Sequence, residues 1–311
     1  MSKHPSFTII APIYGVQNYI VKCAETLLGQ TYDNIQFVFV NDGTKDSSIE
    51  LLEDLIEKKY SSLKDKITIV NKENQGLPAA RKTGMDYATG DYILHVDSDD
   101  WMETDAISRL AAKAEETDAD VIYFDFYKEY STRSKLDRER DYDVQSKRRF
   151  IWGLFNYKAY GYVWNKCTKR SLYEENDIRF PSYGMHEDIF LMAQLLYHAR
   201  SMAHLPSALY HYRRDNPGSI SAAKRKNRRR DSALNMMDLY VRYMDDLQNS
   251  PICDSYGEIL LRTGWLSIRY GFGFFDRFPF LAQKIRKQPV SFKNKTFVLW
   301  QLITKTYSLF R

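Results

Sequence analysis

The chain has 311 residues and a mass of 36.6 kDa, enough for one large domain with appendages or for two small ones. Hydrophobic residues make up 44% and charged residues 27%, with 14 glycines and 9 prolines, which excludes a wholly disordered, collagen-like or low-complexity chain. The net charge of +5 is unevenly spread: residues 1–221 hold 28 Lys+Arg against 33 Asp+Glu, and residues 222–311 hold 17 against 7, so an acidic body carries a basic tail.

The first half alternates between two periodicities. Phe7 to Ile10 is a short apolar run ending at Pro12, and Asn18 to Leu28 places Ile20, Cys23, Ala24, Leu27 and Leu28 on one side of a helix. Phe37 to Val40 is a continuous apolar run, the pattern of a strand covered on both faces. Ser47 to Glu50 fits a capping box ahead of Ile49, Leu52, Leu55 and Ile56 at helical spacing. Ile67 to Val70 is a third strand. Leu77 to Ala88 is a helix that opens with Pro78 and stops at Gly90. Tyr92 to Val96 is a fourth strand, Ile107, Leu110, Ala111 and Ala114 mark another helix, and Val121 to Phe126 is a fifth strand. Ser131 to Arg149 is polar and charged, and reads as a loop or exposed helix. From Ala222 onward the pattern is helical and rich in Arg, Tyr and Phe.

Strands alternating with helices predict an α/β fold with a mainly parallel sheet flanked by helices. The expected domains are a catalytic body over 1–221 and a helical extension over 222–311. The 3 cysteines, Cys23, Cys167 and Cys253, form no CxxC pair and suit a reducing compartment. No apolar run reaches the ~18–20 residues of a membrane-spanning helix. Met1 to Tyr14 lacks the basic flank and apolar core of a secretion signal. The expected location is the cytoplasm, either free or peripheral on the cytoplasmic membrane.

Ligands of such sheets bind at the carboxyl ends of the strands. Three strand ends carry chemistry-bearing residues: Pro12-Ile13-Tyr14, Asn41-Asp42-Gly43 and Asp97-Ser98-Asp99-Asp100. Two carboxylates one residue apart, as in Asp97 and Asp99, can present oxygens to Mg²⁺ or Mn²⁺, which prefer such ligands and share their coordination with phosphates. The competing reading is an ordinary surface loop. Asp42 can accept from a base N–H or cap a turn, and Tyr14 can stack on a base or pack half-buried.

Taken together, APIYGVQNYI, QTYDNIQFVFVNDGTKDSS, ENQGLPAARKTGMDYATGDYILHVDSDDW, WNKCTKRSLYEENDIRF and GMHEDIFL resemble family 2 of the inverting, nucleotide-sugar-dependent glycosyltransferases of the GT-A fold. The resemblance covers roughly residues 5–220. It implies that Pro12 and Tyr14 flank the base, Asp42 pairs with it, Asp97 lies near the ribose, Asp99 binds the metal and Arg81 lies near the donor pocket. It also implies that Asp188, in Glu187-Asp188, is the catalytic base, and that His211 completes the metal site. The chain departs from the family pattern at Gly15, Asn41 and Lys82. The implied cofactors are Mn²⁺ or Mg²⁺ and a nucleotide sugar, with a UDP-sugar as the expected donor and a glycan or lipid-linked acceptor. A carboxylate on the acceptor side suits an in-line displacement at the anomeric carbon, because the attacking hydroxyl must lose its proton. Glu187-Asp188 read alone is equally a carboxylate pair at a helix N-terminus, and Trp164 either stacks on an acceptor sugar or fills the core.

The tail opens with Lys224-Arg225-Lys226 and Arg228-Arg229-Arg230 and continues with Phe272, Phe274, Phe275, Phe278 and Phe280. Basic and aromatic residues together suit an anionic membrane surface, or a helical subdomain packed on the body. The chain contains no nucleic-acid-binding motif. A nucleotidyltransferase and a non-catalytic nucleotide-sugar-binding subunit are the rival functions.

Overall fold

Strand β1 (Phe7–Ile13) is buried at every position because it is covered on both faces. Phe7, Ile9, Ala11 and Ile13 belong to one large apolar cluster. Ile10 joins a smaller cluster with Val38, Val40, Ala80 and Ile93. This is the period of two expected of a central strand. The structure, a computed structural model, describes residues 4–139, 154, 159–181 and 187–219, all within the compact unit Met1–Arg225.

Strands β2 (Ile35–Asn41) and β4 (Tyr92–His95) flank β1 in parallel, and β3 (Ile67–Asn71) adds in parallel outside β2. Helices α1 (Ile20–Leu28), α2 (Ser48–Lys59), α3 (Leu77–Asp86) and α4 (Ala106–Thr117) connect and cover the strands. Helix α1 buries Ile20, Cys23, Ala24, Leu27 and Leu28, the stripe read from the sequence. Helix α3 lies so close to β1 that a Cβ on Gly84 would collide with Ile10 Cγ2. That approach places Arg81, one turn earlier on α3, beneath the strand ends.

The rest of the sheet is mixed. Strands β5 (Trp101–Met102), β6 (Val121–Tyr130), β7 (Arg133–Asp137), β8 (Lys166–Lys169) and β9 (Met202–Arg213) extend it in the order β3-β2-β1-β4-β8-β6-β9-β5, with β7 paired to β6. Strand β8 (Lys166–Lys169) runs antiparallel to both β4 and β6 (Val121–Tyr130) and separates them. Strand β9 (Met202–Arg213) is parallel to β6, with irregular register around Asp125. The two-residue β5 (Trp101–Met102) is antiparallel to β9. Two further helices, α5 (Ser171–Glu175) and α6 (Glu187–His198), complete the described chain.

All five strands and four helices expected before residue 130 are present. Two local readings change. Helix α2 is capped by Asp46, which accepts from the Ser48 amide at 3.2 Å, because the Ser47 side chain makes no capping bond. Within the polar segment 131–149, Arg133–Asp137 forms strand β7 on the edge of β6, where alternate residues need no apolar partner; residues 140–149 lie outside the described residues. The basic, aromatic tail 222–311 also lies outside them. No described helix is long and apolar enough to cross a membrane.

Candidate active site

The ends of β1, β2 and β4 converge at the carboxyl edge of the parallel half, so Pro12, Asp42 and Asp97 stand on neighbouring strands. Pro12 is buried, and its carbonyl accepts from Ser98 Oγ at 2.6 Å, which ties the β1 end to the Asp97–Asp100 turn. Tyr14 is 55% exposed, leaving its ring open to solvent. The backbone around it is held by the next turn. Gly15 N donates to Thr44 Oγ1 at 2.9 Å and Gln17 N to Asp46 at 3.0 Å, while Thr44 and Ser48 hydroxyls donate to Asp46 at 2.7 and 2.6 Å.

Asp42 is buried at the β2 end. Its Oδ1 accepts from Lys72 Nζ at 2.5 Å and Gln75 N at 3.0 Å, and its Oδ2 from Gly76 N at 2.8 Å. The carboxylate thus staples the loop between β3 and α3 and keeps one lone pair on Oδ2. Gly43 follows at φ +67°, where a Cβ would sit 2.9 Å from Asn74 N, so the turn that aims Asp42 at this loop requires glycine.

The centre of the site is Arg81. Its guanidinium is 1% exposed and meets three carboxylates. Nη2 donates to Asp97 Oδ1 at 2.8 Å and Nη1 to Asp188 Oδ1 at 2.6 Å, and Nη1 lies 3.6 Å from Glu187 Oε1. Burial works against the charge, but Asp188, Asp97 and Glu187 outweigh it, and Arg81 is held above its ordinary range. Burial pushes Asp188 up, with Arg81 opposing it. Burial and the adjacent Asp188 push Glu187 up as well. Glu187 and Asp188 open α6, where the helix dipole favours their charge. Arg81, expected near the donor pocket, joins Asp97 at the β4 end to Asp188 on α6.

Asp99 is half-buried, and its Oδ2 accepts from Asn216 Nδ2 at 2.8 Å. Burial and the neighbouring Asp97 raise its carboxyl. Among the described residues no group of three or more His, Cys, Asp and Glu side chains is arranged to hold a metal. Two carboxylates on one turn, one of them raised by the other, suit a divalent cation that takes its remaining ligands from a diphosphate and water. They do not form a cage closed by protein alone.

His211, expected to complete the metal site, has both ring nitrogens on glutamates. Its Nδ1 lies 2.7 Å from Glu129 and its Nε2 3.0 Å from Glu103, and its ring is stacked between Trp101 and Tyr127 at 5.0 Å from each. Strand pairing is the reason. His211 sits opposite Trp101, two residues past Asp99, and both ring nitrogens are committed to carboxylates. Trp164, at 1% exposure, is core. It stacks 4.5 Å from both Tyr162 and Tyr210 and meets Phe126 edge-on at 4.8 Å.

Several site residues emerge only in three dimensions. Tyr210 Oη donates to Asp100 Oδ2 at 2.8 Å and accepts from Asp97 N at 3.0 Å. Arg213 N donates to Asp100 Oδ1 at 2.7 Å. Burial, then Asp99 and Asp97, hold the Asp100 carboxyl well above its ordinary range. Lys166 is fully buried, pushed down to about 8 by burial, and donates to Asn165 Oδ1 at 2.6 Å and the Tyr160 carbonyl at 2.8 Å. Asp100 stands in the DSDD run and Lys166 in the WNK run, and that adjacency is the signal available without coordinates.

The sequence profile of Glycosyl transferase family 2 matches residues 8–180. The chain is 33% identical over 215 residues to the putative glycosyltransferase EpsH of Bacillus subtilis, covering 67% of this chain and 61% of that protein. It is 33% identical over 224 residues to the glycosyltransferase GlyA of Streptococcus pneumoniae, covering 69% of this chain but 31% of the relative. The chain therefore spans less than two thirds of the length of these relatives. Among solved structures, Staphylococcus aureus TarS 1–349 in complex with UDP superposes with a TM-score of 0.64 at 20% identity, over 93% of this chain and 77% of TarS 1–349. With the family profile covering more than half its length, and with the GT-A fold of its structural neighbours, this chain belongs to glycosyl transferase family 2.

Proposed function

We propose that the chain transfers a sugar from a UDP-sugar to a glycan or lipid-linked acceptor hydroxyl, with inversion at the anomeric carbon. The observation that carries this reading is Arg81, which joins Asp97 to Asp188; the reading puts the donor at the first and the acceptor at the second. A solitary nucleotide-binding sheet has no need of a buried guanidinium shared between the β4 end and a second, distant carboxylate pair.

In this reading Tyr14 lies against the uracil, whose N–H meets the open lone pair on Asp42 Oδ2, and Asp97 and Asp99 face the ribose and diphosphate. Asp99, with Asp97 beside it, would hold Mn²⁺ or Mg²⁺, which when bound neutralises the charge gathering on the departing diphosphate. The acceptor oxygen attacks the anomeric carbon as the bond to the diphosphate breaks and its electrons leave with UDP. The acceptor's proton passes to Asp188. Oδ1 of that residue is taken by Arg81, so the second oxygen accepts. Its raised pKa makes it a stronger base than a solvated carboxylate. The TarS structure with UDP on the same fold supports the choice of nucleotide. The basic tail 222–311 is proposed as a peripheral contact with anionic membrane, which would bring a lipid-linked acceptor within reach.

Incubation with a panel of nucleotide sugars and Mn²⁺, followed by product analysis, tests the reading. Free UDP with a new glycoside is expected. Pyrophosphate would identify a nucleotidyltransferase, and binding without turnover a donor-binding subunit.

A further inference from the structure

The turn Asp97–Asp100 is held largely by a segment that follows it by more than a hundred residues. Tyr210 Oη bridges the Asp97 amide and the Asp100 carboxylate, Arg213 N donates to Asp100, and Arg213 Nε donates to the Asp99 carbonyl at 2.9 Å. These bonds fix the backbone of the turn. The orientation of the Asp99 carboxylate depends on a different residue, Asn216, which lies beyond the end of β9.

Asn216 is 7% exposed. Its Oδ1 accepts from Gly218 N at 2.9 Å, which decides which way the amide faces, and its Nδ2 donates to Asp99 Oδ2 at 2.8 Å. An amide nitrogen has no lone pair to offer a cation, so Asn216 in this orientation is not a ligand. It takes one carboxylate oxygen and leaves the other for a cation. We infer that Asn216 is a positioning residue that holds Asp99 ready for the divalent cation, which makes the segment after β9 part of the cation site. The inference rests on the metal reading under the proposed function. Partners that orient a ligating carboxylate contribute measurably to affinity, because without them the ligand must be ordered when the ion binds.

The test is titration of Mn²⁺, followed by electron paramagnetic resonance, into the full chain with saturating UDP. UDP affinity without Mn²⁺ is measured alongside. Asn216→Ala should weaken Mn²⁺ binding by about tenfold, the lower end for loss of such a partner. UDP affinity without the ion should not change. Asn216→Leu keeps the buried volume and should show the same loss, so an unfolded alanine variant does not decide the matter. Unchanged Mn²⁺ affinity in a folded variant, or an equal fall in metal-free UDP affinity, overturns the positioning role alone. A wild-type chain that takes up no Mn²⁺ with UDP overturns the metal reading and this inference together.

Discussion

Arg81 on α3 and Asp188 on α6 are 107 residues apart in sequence and 2.6 Å apart in the fold. The same guanidinium reaches Asp97 at 2.8 Å. A fork of planar donors suits this task, since each terminal nitrogen can serve a different carboxylate. The pairing also compensates the burial of charge, which would otherwise cost several kcal/mol per ion.

Removing Arg81 should therefore damage the fold and the activity together. Arg81→Ala leaves three carboxylates without their cation and should cost about 3–5 kcal/mol, the usual scale for breaking a buried pair from one side. Arg81→Lys keeps the charge but has one nitrogen where the site uses two. It should fold and still lose transfer. Denaturant unfolding of both variants, with sugar transfer by the lysine variant, checks this; a lysine variant with normal turnover would remove Arg81 from the site.

Asp188→Asn is nearly isosteric and retains an oxygen for Arg81, so UDP binding should survive. An asparagine cannot take the acceptor's proton, and kcat should fall by roughly 10²–10⁴, the range for a general base. Glu187→Gln should be milder, because Glu187 stands 3.6 Å from Arg81 against 2.6 Å for Asp188 and orients its neighbour rather than taking the proton. If the glutamine variant is dead and the asparagine variant active, the two carboxylates exchange roles.

The cation site makes a separate prediction. Asp99→Asn should abolish metal-dependent turnover while the melting temperature stays near that of wild type, since Asn216 can still pair with the amide oxygen. Retained activity with an undiminished metal requirement would count against Asp99 as the ligand.

For the nucleoside, Asp42→Ala should weaken UDP binding by about 1–3 kcal/mol, the scale of losing a charged hydrogen-bond partner. It should also loosen residues 72–76, because Gln75 N, Gly76 N and Lys72 lose their shared acceptor. Calorimetry with UDP and amide hydrogen exchange on that loop measure the two effects. Equal UDP affinity would leave Asp42 a purely structural staple.

His95 supplies a pH dependence. Burial, with Arg81 nearby, moves it from the ordinary 6.5 down to about 3. Between those values the unfolded chain binds the proton and the folded chain does not. Stability should therefore fall as pH drops from 6.5 toward 3, with a slope of up to about 1.4 kcal/mol per pH unit from this residue. His95→Gln should flatten that part of the stability profile, measured by urea unfolding at stepped pH. An identical profile in the variant would assign the acid sensitivity to the carboxylates.

Apart from the short helix Ser61–Lys66 and the two-residue β5, the order of strands and helices up to Val121 could be read from the sequence because its causes are local. Alternation between apolar runs and 3.6-residue stripes is set by which faces are covered. Pro78 marks the start of α3 within its own segment. Pro12, Asp42, Asp97 and Asp99 followed from the same reading, since parallel strands place their carboxyl ends on one edge. What the sequence could not decide was which residues from later segments meet that edge. Strand β8 has no apolar run of its own, yet Lys166–Lys169 pairs between β4 and β6 because both neighbours are already in place. His211 and Asn216 are five residues apart, yet the first is committed to Glu129 and Glu103 while the second reaches Asp99. Arg81, Asp97 and Asp188 carry no mark of mutual contact in the chain. Their meeting depends on how α3, β4 and α6 pack, and packing is a property of the whole fold.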